Sequence, residues 1–148
     1  MAHENSLLTV ATFNTNILQI VKNICQDFNW EVRKEMCGQL PFVGKYLGSS
    51  ASYEHLYPEL VELLDDEERE VVTTAIQAFG ELAEHYLSSD LATNNITNLN
   101  TVRADMNTQL KKLLTSESFI GKIDISRCIL VNAFWIATLI DLPDDVEV

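Results

Sequence analysis

The side chains with the widest chemical range in this 148-residue chain are three histidines, His3, His55 and His85, and three cysteines, Cys25, Cys37 and Cys128. Glu81 and His85 stand at i and i+4, as do Glu84 and Ser88. On a helix that spacing puts each pair on one face, where a carboxylate can orient an imidazole for acid–base work. Nothing else in the chain completes a site around them: there is no HExxH, GxSxG, Walker loop or glycine-rich dinucleotide turn. A solvated helix face accounts for both pairs, and no catalytic residue is assigned. The cysteines are odd in number, lie on or beside apolar stripes, and form no CxxC or Cys/His set able to complete tetrahedral coordination. They read as reduced core thiols, with no metal and no cofactor. No cationic start followed by an apolar run occurs, so the expected location is the cytoplasm, with the nucleus as the alternative.

The elements that would carry these residues are helices. Only 5 Gly and 3 Pro punctuate the chain, and its apolar residues recur at helical rather than alternating spacing. Leu56, Tyr57, Leu60, Leu63 and Leu64 form one stripe; Val71, Ala75, Phe79, Leu82 and Tyr86 form another. Between them lie Asp65, Asp66, Glu67 and Glu68, acidic side chains that are unfavourable at a helix C-terminus and favourable at an N-terminus. The chain must therefore reverse there, giving an antiparallel hairpin of helices.

The same pattern occurs upstream. A helix is expected from Phe13, with Ile17, Ile20, Val21, Ile24 and Phe28 at helical spacing, Thr12 or Asn14 as its cap, and a frayed segment over Met1–Asn5. A polar turn, Gln26–Trp30, leads to a second stripe at Val32, Met36, Leu40, Val43 and Leu47. An offset of 39 carries these five onto Val71, Ala75, Phe79, Leu82 and Tyr86, and carries Val21, Ile24 and Cys25 onto Leu60, Leu63 and Leu64. A period near 40 marks stacked helical pairs. Pro41 lies inside a helix and should kink it; Gly80 holds the equivalent place, and Gly48–Ser52 reads as a linker.

A third stripe, Val102, Met106, Leu110, Leu113 and Leu114, follows an Asn-rich stretch expected to be an exposed loop over residues 88–100. The last helix is expected from about Asp124 to Asp141 and is apolar nearly all round; its run Cys128–Ile140 is too short to span a bilayer. Such a terminal helix needs cover, from its neighbours, a further repeat, a second chain or a partner. The expected fold is thus all-α, a short α–α superhelix of about three stacked hairpins. It forms one domain over residues 6–148, with units at about 12–48, 53–87 and 101–142. A net charge of −12 disfavours nucleic acid and favours a basic protein surface as partner.

Asp27, followed five residues later by Val32–Arg33, resembles the HEAT-repeat signature, in which an Asp closes the turn and a Val–Arg pair opens the second helix. Pro58, Leu60, Leu63, Leu64, Asp66 and Val71 match it more fully, except that Val72 replaces the Arg. The wording VRKEMCGQLPFVGKYLG and YPELVELLDDEEREVVTTAIQAFGEL is similar to regulatory and scaffold subunits of type 2A family protein phosphatases, especially those of protein phosphatase 4. The resemblance implies a ladder of Asp and Arg along adjacent turns, in which Arg33 reaches toward Asp66. It also implies a non-catalytic interaction scaffold whose partner is a phosphatase catalytic subunit. A generic HEAT adaptor in transport or cytoskeletal assembly is the alternative, and a small helical enzyme the more remote one. Trp30, Arg33, Asp65, Asp66, Glu67, Glu68 and Arg69 are the candidate partner-binding residues: an aromatic anchor beside a turn, and an acidic tip that selects a basic surface.

Overall fold

A computed structural model describes residues 2–87 and 99–115. The described residues form six helices: α1 (Ala2–Cys25), α2 (Trp30–Leu47), α3 (Ser49–His55), α4 (Tyr57–Leu63), α5 (Arg69–Tyr86) and α6 (Leu99–Thr115). α1 and α2 make the first hairpin, and α3, α4 and α5 make the second. α2 lies along α5 and also touches α3 and α4, while α1 rests on α2 and α4, so the first hairpin stacks on the second. α6 follows against α5, burying Val102, Met106, Leu110 and Leu113, four of the five positions read as its stripe. The last helix expected at about 124–141 and most of the expected loop at 88–100 lie outside the described residues; α6 itself begins at Leu99, inside that stretch.

The core runs through the second hairpin. Leu56, Leu60, Val71, Ala75, Phe79, Leu82 and Tyr86 have no exposed surface, and Leu40 and Cys37 of α2 are equally enclosed. The stripes at Leu56–Leu64 and Val71–Tyr86 therefore face inward as their spacing requires. In α1 the buried positions are Val21 and Cys25, with Ile17 and Leu18 partly covered.

Three local expectations are corrected. α1 starts at Ala2, not near Phe13. Residues 2–25 contain no Gly or Pro to stop the helix. With the backbone already helical, Thr12 and Asn14 are interior residues, and Thr15 Oγ1 donates to the Ala11 carbonyl at 2.9 Å. Phe28 does not extend the α1 stripe: the helix has ended at Cys25, and Phe28 stands fully exposed in the turn. Phe13 and Ile20 of the same stripe are also more than half exposed.

Gly48–Ser52 is a joint and a helix start, not a linker. Gly48 has φ 92° and ψ 159°, a conformation that residues with a Cβ avoid, and its N–H closes α2 on the Gly44 carbonyl at 3.0 Å. α3 begins at the next residue, with Ser49 and Ser52 fully buried. Leu56 separates α3 from α4 because Pro58 lacks the N–H that would bond the carbonyl four residues back. Helical hydrogen bonds still run across the break, from Leu56 N to Ser52 O at 2.8 Å and from Leu60 N to Leu56 O at 3.0 Å. α2 continues through Pro41, which is buried.

Candidate functional site: the ridge of turns

The two turns that reverse the hairpins, residues 26–29 and 65–68, lie side by side because the hairpins stack in register. Their local construction is the same at the offset of 39. Asp27 Oδ1 accepts the N–H of Asn29 at 2.8 Å, and Asp66 Oδ1 accepts the N–H of Glu68 at 2.9 Å. Each aspartate thus occupies a donor at the entry to the second helix of its unit. Asn29 goes further and caps α2, accepting from Glu31 N at 3.0 Å, whereas Glu68 makes no side-chain cap to α5.

Arg33 joins the turns. Its Nε donates to Asp66 Oδ2 at 2.8 Å and its Nη2 to Asp66 Oδ1 at 3.0 Å, a two-pronged pairing that a planar guanidinium makes and an ammonium does not. Nη1 donates to the carbonyls of Asp27 and Phe28, at 2.8 and 3.2 Å, which lie just beyond the end of α1. One side chain therefore holds its own turn and the next unit's turn at once. Burial alone would raise the Asp66 pKa; the hydrogen bonds from Arg33 and from Glu68 N outweigh it and hold that carboxyl below its usual value. The bond to Asp66 raises Arg33 further above its already high value. Lys34 and Glu70 form a second contact between α2 and α5, at 3.5 Å on the surface.

Around this pair is a cleft lined by Gln26, Asp27, Phe28, Trp30, Asp65, Glu67 and Glu68 together with Arg33 and Asp66. Of the candidate residues, Trp30, Arg33, Asp65, Asp66, Glu67 and Glu68 are brought together there, and Arg69, the first residue of α5, does not line it. Trp30 is partly buried and packs on the core, so it supports the ridge from beneath. Arg33 and Asp66 neutralise each other. The groups left facing outward are Asp27, Asp65, Glu67, Glu68 and the fully exposed ring of Phe28. Phe28 escaped the sequence reading because its spacing from Ile24 mimics one more helical turn. The signal available was its place inside the polar run Gln26–Asn29, where a helix is already ending.

The reactive-looking groups elsewhere have structural partners. His85 meets Ser49 Oγ at 3.3 Å and the Gly44 carbonyl, linking the end of α5 to the joint between α2 and α3. Ser52 Oγ and Tyr86 OH are 2.7 Å apart in the core, and Tyr53 OH donates to Asp105 of α6 at 2.8 Å. Cys25 and Cys37 are buried free thiols, pushed up to about 12 by burial, with Glu59 and Glu62 adding to the shift at Cys25. Both stay protonated and unreactive near neutral pH. Cys128 lies outside the described residues. Among the described residues, no helix is long and apolar enough to cross a membrane.

Comparison with known proteins agrees with this architecture. Residues 56–86, which span α4 and α5, match the family model of the HEAT repeat. Serine/threonine-protein phosphatase 4 regulatory subunit 4 from Homo sapiens is 34% identical over 79 residues, covering 53% of this chain and 9% of the relative. The subunit of the same name from Mus musculus is 34% identical over 74 residues, covering 50% of this chain and 8% of the relative. The matched stretch thus spans under a tenth of the length of these relatives. No solved structure matches the chain. Residues 56–86 thus match a HEAT repeat within a stack of helical hairpins whose turns are joined by an arginine–aspartate pair, and about half of the chain is similar to a regulatory subunit of protein phosphatase 4.

Proposed function

We propose that this chain is a non-catalytic scaffold element that binds a protein partner along its ridge of turns, and that the partner belongs to a phosphatase assembly of the 2A/4 family, a catalytic subunit in the first instance. The observation that carries the reading is the exposed Phe28 ring set among Asp27, Asp65, Glu67 and Glu68 on a base made rigid by Arg33 and Asp66. An apolar ring surrounded by carboxylates suits a partner surface that offers an apolar contact flanked by Lys or Arg. The carboxylates speed encounter and select charge, and the ring contributes desolvation at the centre. The partial likeness to a phosphatase 4 regulatory subunit supports the identity of the assembly.

The test is capture of purified catalytic subunits of phosphatase 4 and its 2A relatives on the immobilised chain, followed by titration. Retention that weakens at least about tenfold in Phe28→Ala, and again in Glu67→Lys/Glu68→Lys, supports the reading. Retention by none of these enzymes overturns the phosphatase assignment and leaves the adaptor reading. Retention that ignores both variants overturns the ridge.

A further inference from the structure

The contact between the second hairpin and α6 is built differently from the contact between the two hairpins. Across the α2–α5 contact charged side chains are paired, Arg33 with Asp66 and Lys34 with Glu70. Three buried side-chain atoms among the described residues find no hydrogen-bond partner: Tyr57 OH, Arg103 Nε and Asn107 Oδ1. Two of them belong to α6. Arg103 and Asn107 stand at i and i+4, on one flank of the stripe formed by Val102, Met106 and Leu110. The third belongs to α4, and the Asp105 carboxylate of α6 stands near enough to Tyr57 to add to what burial does in raising that phenol's pKa.

Tyr57 is 4% exposed and enclosed by rings. Tyr53 stacks on it, with centroids 5.2 Å apart and planes at 21°, while Tyr86 and Phe79 lie 6.2 and 6.3 Å away. The neighbouring hydroxyls are engaged: Tyr53 OH donates to Asp105 Oδ2 at 2.8 Å, and Tyr86 OH meets Ser52 Oγ at 2.7 Å. Burying the Tyr57 hydroxyl therefore removes it from water with no protein bond in exchange. Two opposed effects meet at α6. Val102, Met106, Leu110 and Leu113, none more than 8% exposed, hold it down together with the bond from Tyr53 to Asp105. The three orphaned atoms favour its release, because each can bond to water once α6 lifts.

We infer that α6 is a cover that opens on its own: it is latched to the second hairpin by Tyr53 and Asp105 and biased toward release by the buried hydroxyl of Tyr57, and its opening bares the Tyr53 and Tyr57 rings while α5 stays folded. The two tyrosines, stacked on each other, act in opposite directions. Tyr53 holds α6 closed because its hydroxyl has a carboxylate to donate to; Tyr57 works against closure because its hydroxyl has none.

Amide exchange of the full chain, read separately over residues 102–113 and 71–86, tests this. Residues 102–113 should exchange at least about tenfold faster than 71–86 and respond less steeply to added urea, since one helix exposes less surface than the whole fold. Y53F should speed exchange over 102–113 by about tenfold or more, the loss expected for a bond to a charged acceptor, and leave 71–86 within about twofold. Y57F should slow exchange over 102–113 by about fivefold or more, since it removes a buried group that the closed state leaves unbonded. One common rate for both segments would make α6 part of a single cooperative core and overturn the inference. Y53F acting equally on both segments, or on neither, would remove the latch and overturn it as well. Unchanged or faster exchange over 102–113 in Y57F would show that this hydroxyl does not oppose closure, with the same result.

Discussion

Arg33 and Asp66, 33 residues apart in the chain, meet through two parallel hydrogen bonds of 2.8 and 3.0 Å, with side chains 17% and 9% exposed. This is the point at which two hairpins become one stack. Because the pair is largely shielded and two-pronged, it is worth more than a surface ion pair. Arg33→Ala and Asp66→Ala should each destabilise the chain by about 2 kcal/mol, and a double-mutant cycle should show coupling of about 1–2 kcal/mol. Arg33→Lys should recover little of it, because an ammonium cannot span both oxygens and the turn carbonyls together. Chemical denaturation of the four proteins of the cycle measures this, and zero coupling would remove the pair as a stacking element.

His85 predicts a pH dependence of the opposite end of the hairpins. Burial lowers its pKa, Lys45 lowers it further, and a hydrogen bond to the Gly44 carbonyl opposes them without prevailing. Below the ordinary value of 6.5 the unfolded chain therefore takes up a proton before the folded one does, and folding loses stability as pH falls. The loss begins near pH 6.5 and continues down to the lowered folded value. Urea midpoints measured from pH 7.5 to 5 should fall in the native chain and fall less steeply in His85→Gln. A second acid-side loss, at pH below the ordinary 3.8 of an aspartate, belongs to Asp66 and should vanish in Asp66→Asn.

Two glycines carry separate kinds of constraint. At Gly48 the constraint is conformational, and Gly48→Ala should cost about 1–3 kcal/mol because φ is 92°. At Gly44 it is steric. A methyl group there would meet Ser52 Oγ at 2.6 Å, and that hydroxyl cannot turn away without leaving Tyr86 OH, 2.7 Å from it. Gly44→Ala should therefore destabilise by about 1–3 kcal/mol from crowding, less up to about 1 kcal/mol of helix propensity. Combining it with Ser52→Ala should relieve part of the loss, which thermal unfolding of the double variant would show.

Phe28 and Phe79 should respond in opposite ways to the same truncation. Phe79 is wholly enclosed, so Phe79→Ala should cost about 3–5 kcal/mol, whereas Phe28 is wholly exposed and Phe28→Ala should change stability by less than about 0.5 kcal/mol. A large loss at Phe28 would return it to the α1 stripe.

The hairpin from Leu56 to Tyr86 was legible because each of its stripes is a property of one helix, set by the 3.6-residue turn and by which side chains water rejects. The 39-residue offset exposed the stacking for the same reason: repeated units need repeated faces. The bond between Arg33 and Asp66 came from family resemblance and not from spacing, since pairing across 33 residues depends on how two hairpins settle against each other. Only tertiary structure could decide that Phe28 leaves the stripe its spacing suggests, because exposure depends on where α1 stops and what stands opposite. It likewise decided that Gly48 turns the chain directly into α3, whose Ser49 and Ser52 are buried, and that Ile24, Val32 and Met36 are only partly buried beside a groove. Sequence periodicity determines which residues share a face; burial is a relation between faces, and it exists only once the units are stacked.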